Sequence, residues 1–164
     1  WGTTLSPESI SEWDGMGCGI EQVGEIVVAG DHVIPGYLNG EGDAENKIKV
    51  EGKVWHRTGD AGYFDADDRL WLMGRCAAKF QIGPKWVYPF AVESAAVEQF
   101  DVPIAACCLY RGAPTLFLPQ SFQHELPSEF SIDGISIRQI MQREIPLDKR
   151  HNAKVDYAEL VRSK

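Results

Sequence analysis

The first 75 residues alternate short apolar runs with polar turns. The sequence GEIVVAG at 24–30 places apolar residues in a row between glycines, which predicts a strand. A long loop rich in Gly, Asn and Pro is predicted over 31–47. Residues 52–75 predict strand, turn, strand, turn and strand, with the acidic sequence DADD at 65–68 forming a hairpin turn. No helix is predicted in this part of the chain.

The pattern changes after Arg75. A hairpin is predicted over 77–89, with its turn at Gly83-Pro84. Residues 89–100 begin with proline and carry apolar residues at helical spacing, so they predict a helix. The apolar runs VPIAACCLYRG and APTLFLPQ have the length of strands.

The remaining elements complete a mixed fold. Residues 119–134 are predicted as a polar loop, residues 136–145 as a second helix and residues 155–162 as a third. We therefore predict the α+β class, with a β-rich, barrel-like piece over 1–76 and a small α+β domain over 77–164.

Composition and charge exclude several functions. The chain has 164 residues and a formal net charge of −8, which disfavours nucleic acid as a partner because phosphate binding needs a basic surface. No run of about 18 apolar residues is present, so no membrane span is predicted. The chain begins with Trp1 and carries no signal-like segment, from which we expect a piece of a longer protein or a processed one.

The cysteines and histidines do not indicate a metal site. The four cysteines lack CxxC spacing and are expected to be reduced thiols, and the four histidines do not cluster. No metal is therefore expected to bind to them. The cysteines are at positions 18, 76, 107 and 108, and the histidines at positions 32, 56, 124 and 151.

Four stretches, in this order, resemble the adenylate-forming enzymes, which include acyl-CoA synthetases, luciferases and peptide-synthetase adenylation domains. They are GEIVVAGDHVIPGYLN, WHRTGDAGYFDADDRLWLMGR, GRCAAKFQIGPKWVYPFAVES and IPLDKRHNAKVD. The sequences GDAGYFDADDRLWLMGR and DKRHNAK are similar to the β-lactone synthetases of bacterial olefin biosynthesis and to fatty acyl-CoA ligases. The family's phosphate loop and adenine motif would precede this chain. The resemblance therefore implies the end of a large N-terminal AMP-binding domain over 1–76 and a small C-terminal lid domain over 77–164.

Two residues are candidates for nucleotide binding. Asp60 follows Gly59, and a carboxylate suits a ribose diol, although a turn aspartate that accepts local N–H groups would look the same. Arg75 offers a guanidinium to ribose or phosphate, and the alternative is an ion pair with the acidic turn at 65–68. The resemblance implies that both residues contact the nucleotide.

The resemblance implies that Lys154 is catalytic. An ammonium on a flexible stem can follow negative charge that gathers between an acid oxygen and the α-phosphate. A solvated surface lysine is the alternative. Ala153 stands where the family usually has Gly, which puts a close approach in question. His151 could be taken for a general base, but we interpret it as structural because adenylation requires no such base.

Two residues of the hinge segment depart from the family pattern. Ala77 occupies the position of the hinge, where the family has Asp or Lys, and alanine permits the backbone rotation that a hinge needs. Pro84 occupies the place of a glycine beside the family's thiol tunnel, and it fixes φ and lacks an N–H. This departure weakens the case for transfer to CoA, whose use stays open.

The resemblance implies an ATP-dependent, AMP-forming ligase in the cytoplasm that activates a carboxylic acid, with a fatty or β-hydroxy acid as the expected substrate. Its expected partners are the acid, ATP and the N-terminal domain of the same protein, with Mg²⁺ bound through that domain. This chain alone is expected to be inactive. The alternative is a non-catalytic binding or regulatory module that retains the fold, and it is favoured by Ala77, Pro84 and Ala153.

Overall fold

The computed structural model of the chain describes residues 4–148 and 154–162. The chain divides into two compact units, of which the first ends at Ala77 and the second begins at Ala78. The fold class is α+β, as predicted.

In its described part, residues 4–77, the first unit has four strands and two short helices. They are α1 (Ile10–Gly15), β1 (Gly24–Ala29), α2 (Asp43–Asn46), β2 (Lys47–Val50), β3 (Lys53–Phe64) and β4 (Leu70–Arg75). The long strand β3 pairs antiparallel with β1, with β2 over its first residues and with β4 over its last ones. Within the described residues these strands form an open sheet and not a closed barrel.

Strand β1 and the turn at 65–68 agree with the predictions, but residues 52–75 form two strands and not the predicted three, because β3 runs unbroken from Lys53 to Phe64. The prediction that this unit contains no helix is also wrong. Local hydrogen bonds explain helix α1. The hydroxyl of Ser9 accepts a hydrogen bond from the Glu12 N–H, and the Glu12 carboxylate accepts one from the Glu8 N–H. Such reciprocal bonds stabilise the start of a helix even where apolar spacing is weak.

Over residues 78–148 and 154–162 the second unit has two helices and seven strands. They are β5 (Phe80–Ile82), β6 (Lys85–Val87), α3 (Pro89–Phe100), β7 (Ala106–Tyr110), β8 (Ala113–Pro119), β9 (Phe130–Ile132), β10 (Ile135–Ile137), β11 (Gln139–Arg143) and α4 (Tyr157–Arg162). Strand β8 is the centre of a three-stranded sheet, antiparallel to β7 and parallel to β11. The pairs β5–β6 and β9–β10 are hairpins. Helix 89–100, the turn at Gly83-Pro84, both apolar strands and the last helix agree with the predictions.

Successive residues of the central sheet enter two different cores. Cys107, Leu116 and Leu118 pack in the core that includes helix α3, whereas Cys108 and Phe117 pack in the core that includes Leu160 of helix α4. This alternation is the two-residue period of a strand. The sheet of the second unit is therefore covered by one helix on each face.

The predicted helix over 136–145 is wrong. The structure has the end of β10 and the strand β11 in its place, and β9 lies within the predicted loop 119–134. Ile140 packs against one core and Met141 against the other, so both faces of β11 meet apolar side chains. A strand that is covered on both faces carries adjacent apolar residues, which also fit the spacing of a helix.

The cysteines, the helix lengths and the arrangement of possible metal ligands also bear on function. In the part of the chain that the structure describes, the four cysteines form no disulfide. Within the described residues no helix is long and apolar enough to cross a membrane. Within the same residues no group of three or more His, Cys, Asp or Glu side chains is arranged to hold a metal ion.

Candidate functional site

Asp60 and Arg75 lie directly opposite each other in the first unit. They are paired residues of the neighbouring strands β3 and β4, and Nε of Arg75 lies 3.2 Å from Oδ1 of Asp60. Nη1 of Arg75 donates to the carbonyl oxygen of Thr58 at 3.0 Å. The two candidate nucleotide-binding residues therefore form one pair.

The alternative partner proposed for Arg75 is not observed. In the acidic turn, Asp65 and Asp67 pair with Arg69, at 2.8 Å and 2.9 Å. Asp65 also accepts a hydrogen bond from the indole N–H of Trp71 at 2.7 Å. This bond, with those from Arg69 and the Asp67 N–H, lowers the pKa of Asp65 to about 2 although desolvation opposes the shift. The turn is thus satisfied by its own partners.

The backbone before Asp60 is held by its neighbours. The Thr58 hydroxyl donates to the Ile26 carbonyl oxygen at 2.7 Å and accepts from the Asp60 N–H at 3.1 Å. The Gly59 N–H donates to Oε1 of Glu25 at 3.3 Å. Gly59 has a φ of +73°, a conformation that glycine adopts without steric cost.

A buried ion pair completes this support. Nη2 of Arg57 lies 2.6 Å from Oε2 of Glu25, and the Arg57 side chain is only 5% exposed. Glu25 therefore uses one oxygen for Arg57 and the other for Gly59. Glu25, Arg57 and Thr58 were not predictable from the sequence, because their contacts join positions 32 or more residues apart. Only the pairing of β1 with β3 brings these positions together.

The Asp60–Arg75 pair retains capacity for a ligand. The contacts of this pair use Oδ1 of Asp60 and Nε and Nη1 of Arg75, and each residue carries one further polar atom, Oδ2 and Nη2. The Asp60 side chain is 33% exposed and that of Arg75 is 46% exposed. An exposed ion pair contributes little to stability, about 0–1 kcal/mol. One oxygen that accepts and one nitrogen that donates fit the two roles of a diol, whose hydroxyls both donate and accept.

Lys154 lies in the second unit, at the start of the last described segment. Its carbonyl oxygen accepts a hydrogen bond from the Asp148 N–H at 2.8 Å, and its N–H donates to Oδ1 of Asp148 at 3.2 Å. Val155 forms an isolated bridge with Leu147. These hydrogen bonds hold the backbone of Lys154, and the residue is exposed to solvent. His151 and Ala153 lie outside the described residues.

The known proteins that are similar to this chain in sequence or in structure include ligases and synthetases. No protein-family model matches the chain. It is 34% identical over 92 residues to 4-coumarate–CoA ligase 1 of Solanum tuberosum, covering 55% of this chain and 16% of that protein. It is 37% identical over 96 residues to an olefin beta-lactone synthetase of Xanthomonas campestris, covering 54% and 17%. The structure of O-succinylbenzoate coenzyme A synthetase from Bacillus subtilis, in complex with ATP and magnesium ion, matches with a TM-score of 0.64 and 25% identity, covering 82% of this chain and 30% of that one.

The chain is homologous to the C-terminal portion of adenylate-forming enzymes. It spans about a sixth of the length of the two curated relatives, 16% and 17%.

Within this adenylate-forming fold the predicted site residues fall into three places. Asp60 and Arg75 meet in the first unit, and Lys154 lies in the second. Ala77 is the last residue of the first unit and belongs to a 3₁₀ turn over Cys76–Ala78. Pro84 lies in the turn of the β5–β6 hairpin.

Proposed function

We propose that this chain is the C-terminal part of an ATP-dependent, AMP-forming carboxylate ligase, which activates an acid as an acyl-adenylate. Residues 1–76 would be the end of its large AMP-binding domain, and residues 77–164 its lid domain. The observation that carries the proposal is the Asp60–Arg75 pair, because it offers an oxygen and a nitrogen to one ligand. The named activities of the relatives, which are acid–CoA ligases and a β-lactone synthetase, support the same chemistry.

Asp60 and Arg75 would bind the nucleotide. A ribose hydroxyl donates to Oδ2 of Asp60, and Nη2 of Arg75 donates to a ribose or phosphate oxygen. The hydrogen bonds that hold Thr58 and Gly59 keep this pair in position before the ligand arrives, which reduces the entropic cost of binding.

Lys154 would act on the chemical step. An oxygen of the acid attacks the α-phosphorus of ATP, a new P–O bond forms, and the bond to pyrophosphate breaks. Negative charge gathers between the acid and the phosphate during this exchange. The exposed ammonium of Lys154 would stabilise that charge, an effect typically worth 10²–10³ in rate.

ATP is the proposed cosubstrate, and Mg²⁺ would be bound largely outside this chain. The domain that precedes this chain would hold the ion. The acid would be a fatty or β-hydroxy acid, and the enzyme would work in the cytoplasm. Pro84 favours an enzyme that makes the adenylate without passing the acyl group to CoA, because proline rigidifies the hairpin turn.

The test is pyrophosphate release by the polypeptide that includes the sequence preceding this chain in its reading frame. We expect release with ATP, Mg²⁺ and at least one member of a panel of aliphatic and aromatic acids. The 164-residue chain alone is the matched control and should release none above a heat-inactivated sample. A longer polypeptide that binds ATP but releases no pyrophosphate with any acid would instead support a non-catalytic regulatory module.

A further inference from the structure

One carboxylate oxygen joins three elements of the second unit. Oε1 of Glu93, on helix α3, accepts a hydrogen bond from the backbone N–H of Cys107, in strand β7, at 2.8 Å. The same oxygen accepts one from the hydroxyl of Tyr157, the first residue of helix α4, at 2.7 Å. The side chain of Glu93 therefore connects α3, β7 and the start of α4.

Partial burial shifts the pKa values of both side chains. Desolvation raises the pKa of Glu93, and the hydrogen bonds from Tyr157 and Cys107 oppose that shift. Desolvation and the negative charge of Glu93 raise the pKa of Tyr157. The phenol thus remains a donor at neutral pH. Both side chains are half-buried, and loss of the Tyr157 hydroxyl would leave Oε1 of Glu93 with the Cys107 N–H as its donor.

The connection lies close to the candidate catalytic lysine in the chain. Tyr157 follows Lys154 by three residues, and the residues between them are held as well. Val155 bridges Leu147, and the Asp156 N–H donates to the Pro146 carbonyl oxygen at 2.9 Å. Residues 154–156 are therefore bonded to residues 146–148, and the Tyr157 hydroxyl adds a bond to Glu93 at the end of this segment.

We propose that Glu93 and Tyr157 are positioning residues for Lys154, and that their hydrogen bond sets where its ammonium meets the reacting phosphate. This inference rests on the proposed function, because it requires Lys154 to act on adenylation. Tyr157 and Glu93 do not contact the substrate in this scheme. They act through the backbone of residues 154–157.

Two variants test the hydrogen bond with little change in packing. Tyr157→Phe removes only the hydroxyl, and we expect it to lower kcat for adenylate formation by about 10- to 100-fold with KM for ATP unchanged. Glu93→Gln keeps an oxygen that can accept both bonds and should retain most of the activity, whereas Glu93→Ala should not. Tyr110→Phe is the matched control. Its hydroxyl is 3.3 Å from Nη2 of Arg143 in the same unit, and its loss should leave kcat unchanged.

A double variant separates positioning from a purely structural role. In a Lys154→Ala background, Tyr157→Phe should cause no further loss of rate, because the group that it positions is gone. Equal losses in both backgrounds would overturn the proposal. So would an unchanged kcat in Tyr157→Phe when Lys154→Ala is impaired.

Amide hydrogen exchange provides a readout that does not depend on activity. The N–H groups of Lys154 and Asp156 are hydrogen-bonded, and Tyr157→Phe should accelerate their exchange several-fold while helix α3 stays protected. Unchanged exchange at both amides would refute the proposal that the Glu93–Tyr157 hydrogen bond holds the backbone of residues 154–157. A wild-type polypeptide that forms no adenylate would refute the proposed function, and the exchange result would still decide whether the pair fixes Lys154.

Discussion

Oδ1 of Asp60 and Nε of Arg75 lie 3.2 Å apart because the two residues are direct partners across strands β3 and β4. Fifteen positions separate them in the sequence, and the hairpin turn at Asp65–Asp68 brings them together. That turn has its own partners, since Arg69 and Trp71 satisfy Asp65. The geometry therefore leaves the Asp60–Arg75 pair available for a ligand.

Replacing either member of this pair should weaken nucleotide binding with little loss of stability. In the longer polypeptide, Asp60→Ala and Arg75→Ala should each raise KM for ATP by about 10-fold or more, because a hydrogen bond to a charged group contributes about 1.5–3 kcal/mol. The free energy of unfolding should change by less than about 1 kcal/mol, as is usual for an exposed ion pair. Initial rates across ATP concentrations and urea denaturation measure the two quantities.

Arg69→Ala is the control for these variants. It removes an exposed arginine that also pairs with an aspartate of the same hairpin, at 2.8 Å. Its KM for ATP should match the wild type. If all three variants bind ATP equally well, the Asp60–Arg75 pair serves only the sheet.

Lys154 should affect the rate of adenylation and not the stability of the chain. Its side chain is exposed, and exposed substitutions usually change the free energy of unfolding by less than about 0.5 kcal/mol. Loss of a contact made in the transition state should cut kcat for adenylate formation by roughly 10². Single-turnover pyrophosphate release and thermal melting of Lys154→Ala in the longer polypeptide check the two expectations.

Arg162→Ala is the control for Lys154→Ala. Arg162 is an exposed cation of the same segment, and it pairs with Glu159 at 3.5 Å. It should keep the wild-type rate. Equal rates for both variants would make Lys154 an ordinary surface lysine.

The sequence predicted the elements whose signals are local. The helix over 89–100 was predictable because Pro89 marks its start and its apolar spacing is regular. The strand β11 was not, because Ile140 and Met141 look like one helical face until the two cores on opposite sides of the sheet are known. The same limit applied to the site. Asp60 could be found from its sequence motif. The hydrogen bond from the Gly59 N–H to Glu25, which holds the backbone before Asp60, depends on the pairing of two strands that are distant in the sequence.

Leu160 should be the main stabilising residue of helix α4. It is fully buried in the core that contains Phe117 and Tyr110. Leu160→Ala should lower the free energy of unfolding by about 2–5 kcal/mol, because a cavity remains where the side chain packed. Val161→Ala, at a neighbouring position that is 41% exposed, should cost far less. Urea denaturation of the 164-residue chain compares them, and equal losses would show that the helix does not pack through Leu160.

Limited proteolysis should find the boundary between the two units. We expect a protease of broad specificity to cut first within residues 76–85, around Ala77, since the chain passes from one compact unit to the other there. Mass spectrometry of the earliest fragments locates the cut. A first cut inside helix α3 would argue against Ala77 as a hinge between separate bodies.

The second unit should lose stability as the pH rises from 9 to 11. Desolvation, with a smaller effect from the charge of Glu93, raises the pKa of Cys108 from 9.0 to about 11. The folded state therefore holds this proton more tightly than the unfolded state, so the stabilisation is complete below pH 9 and is lost as the pH passes through 11. Cys108→Ala removes the titrating thiol and should make the fall in stability over this range shallower. Denaturant melts at intervals of pH measure the slope, with Cys18→Ala as the control because that cysteine is exposed. Identical slopes for Cys108→Ala and the wild type would show that the Cys108 thiol does not control alkaline unfolding.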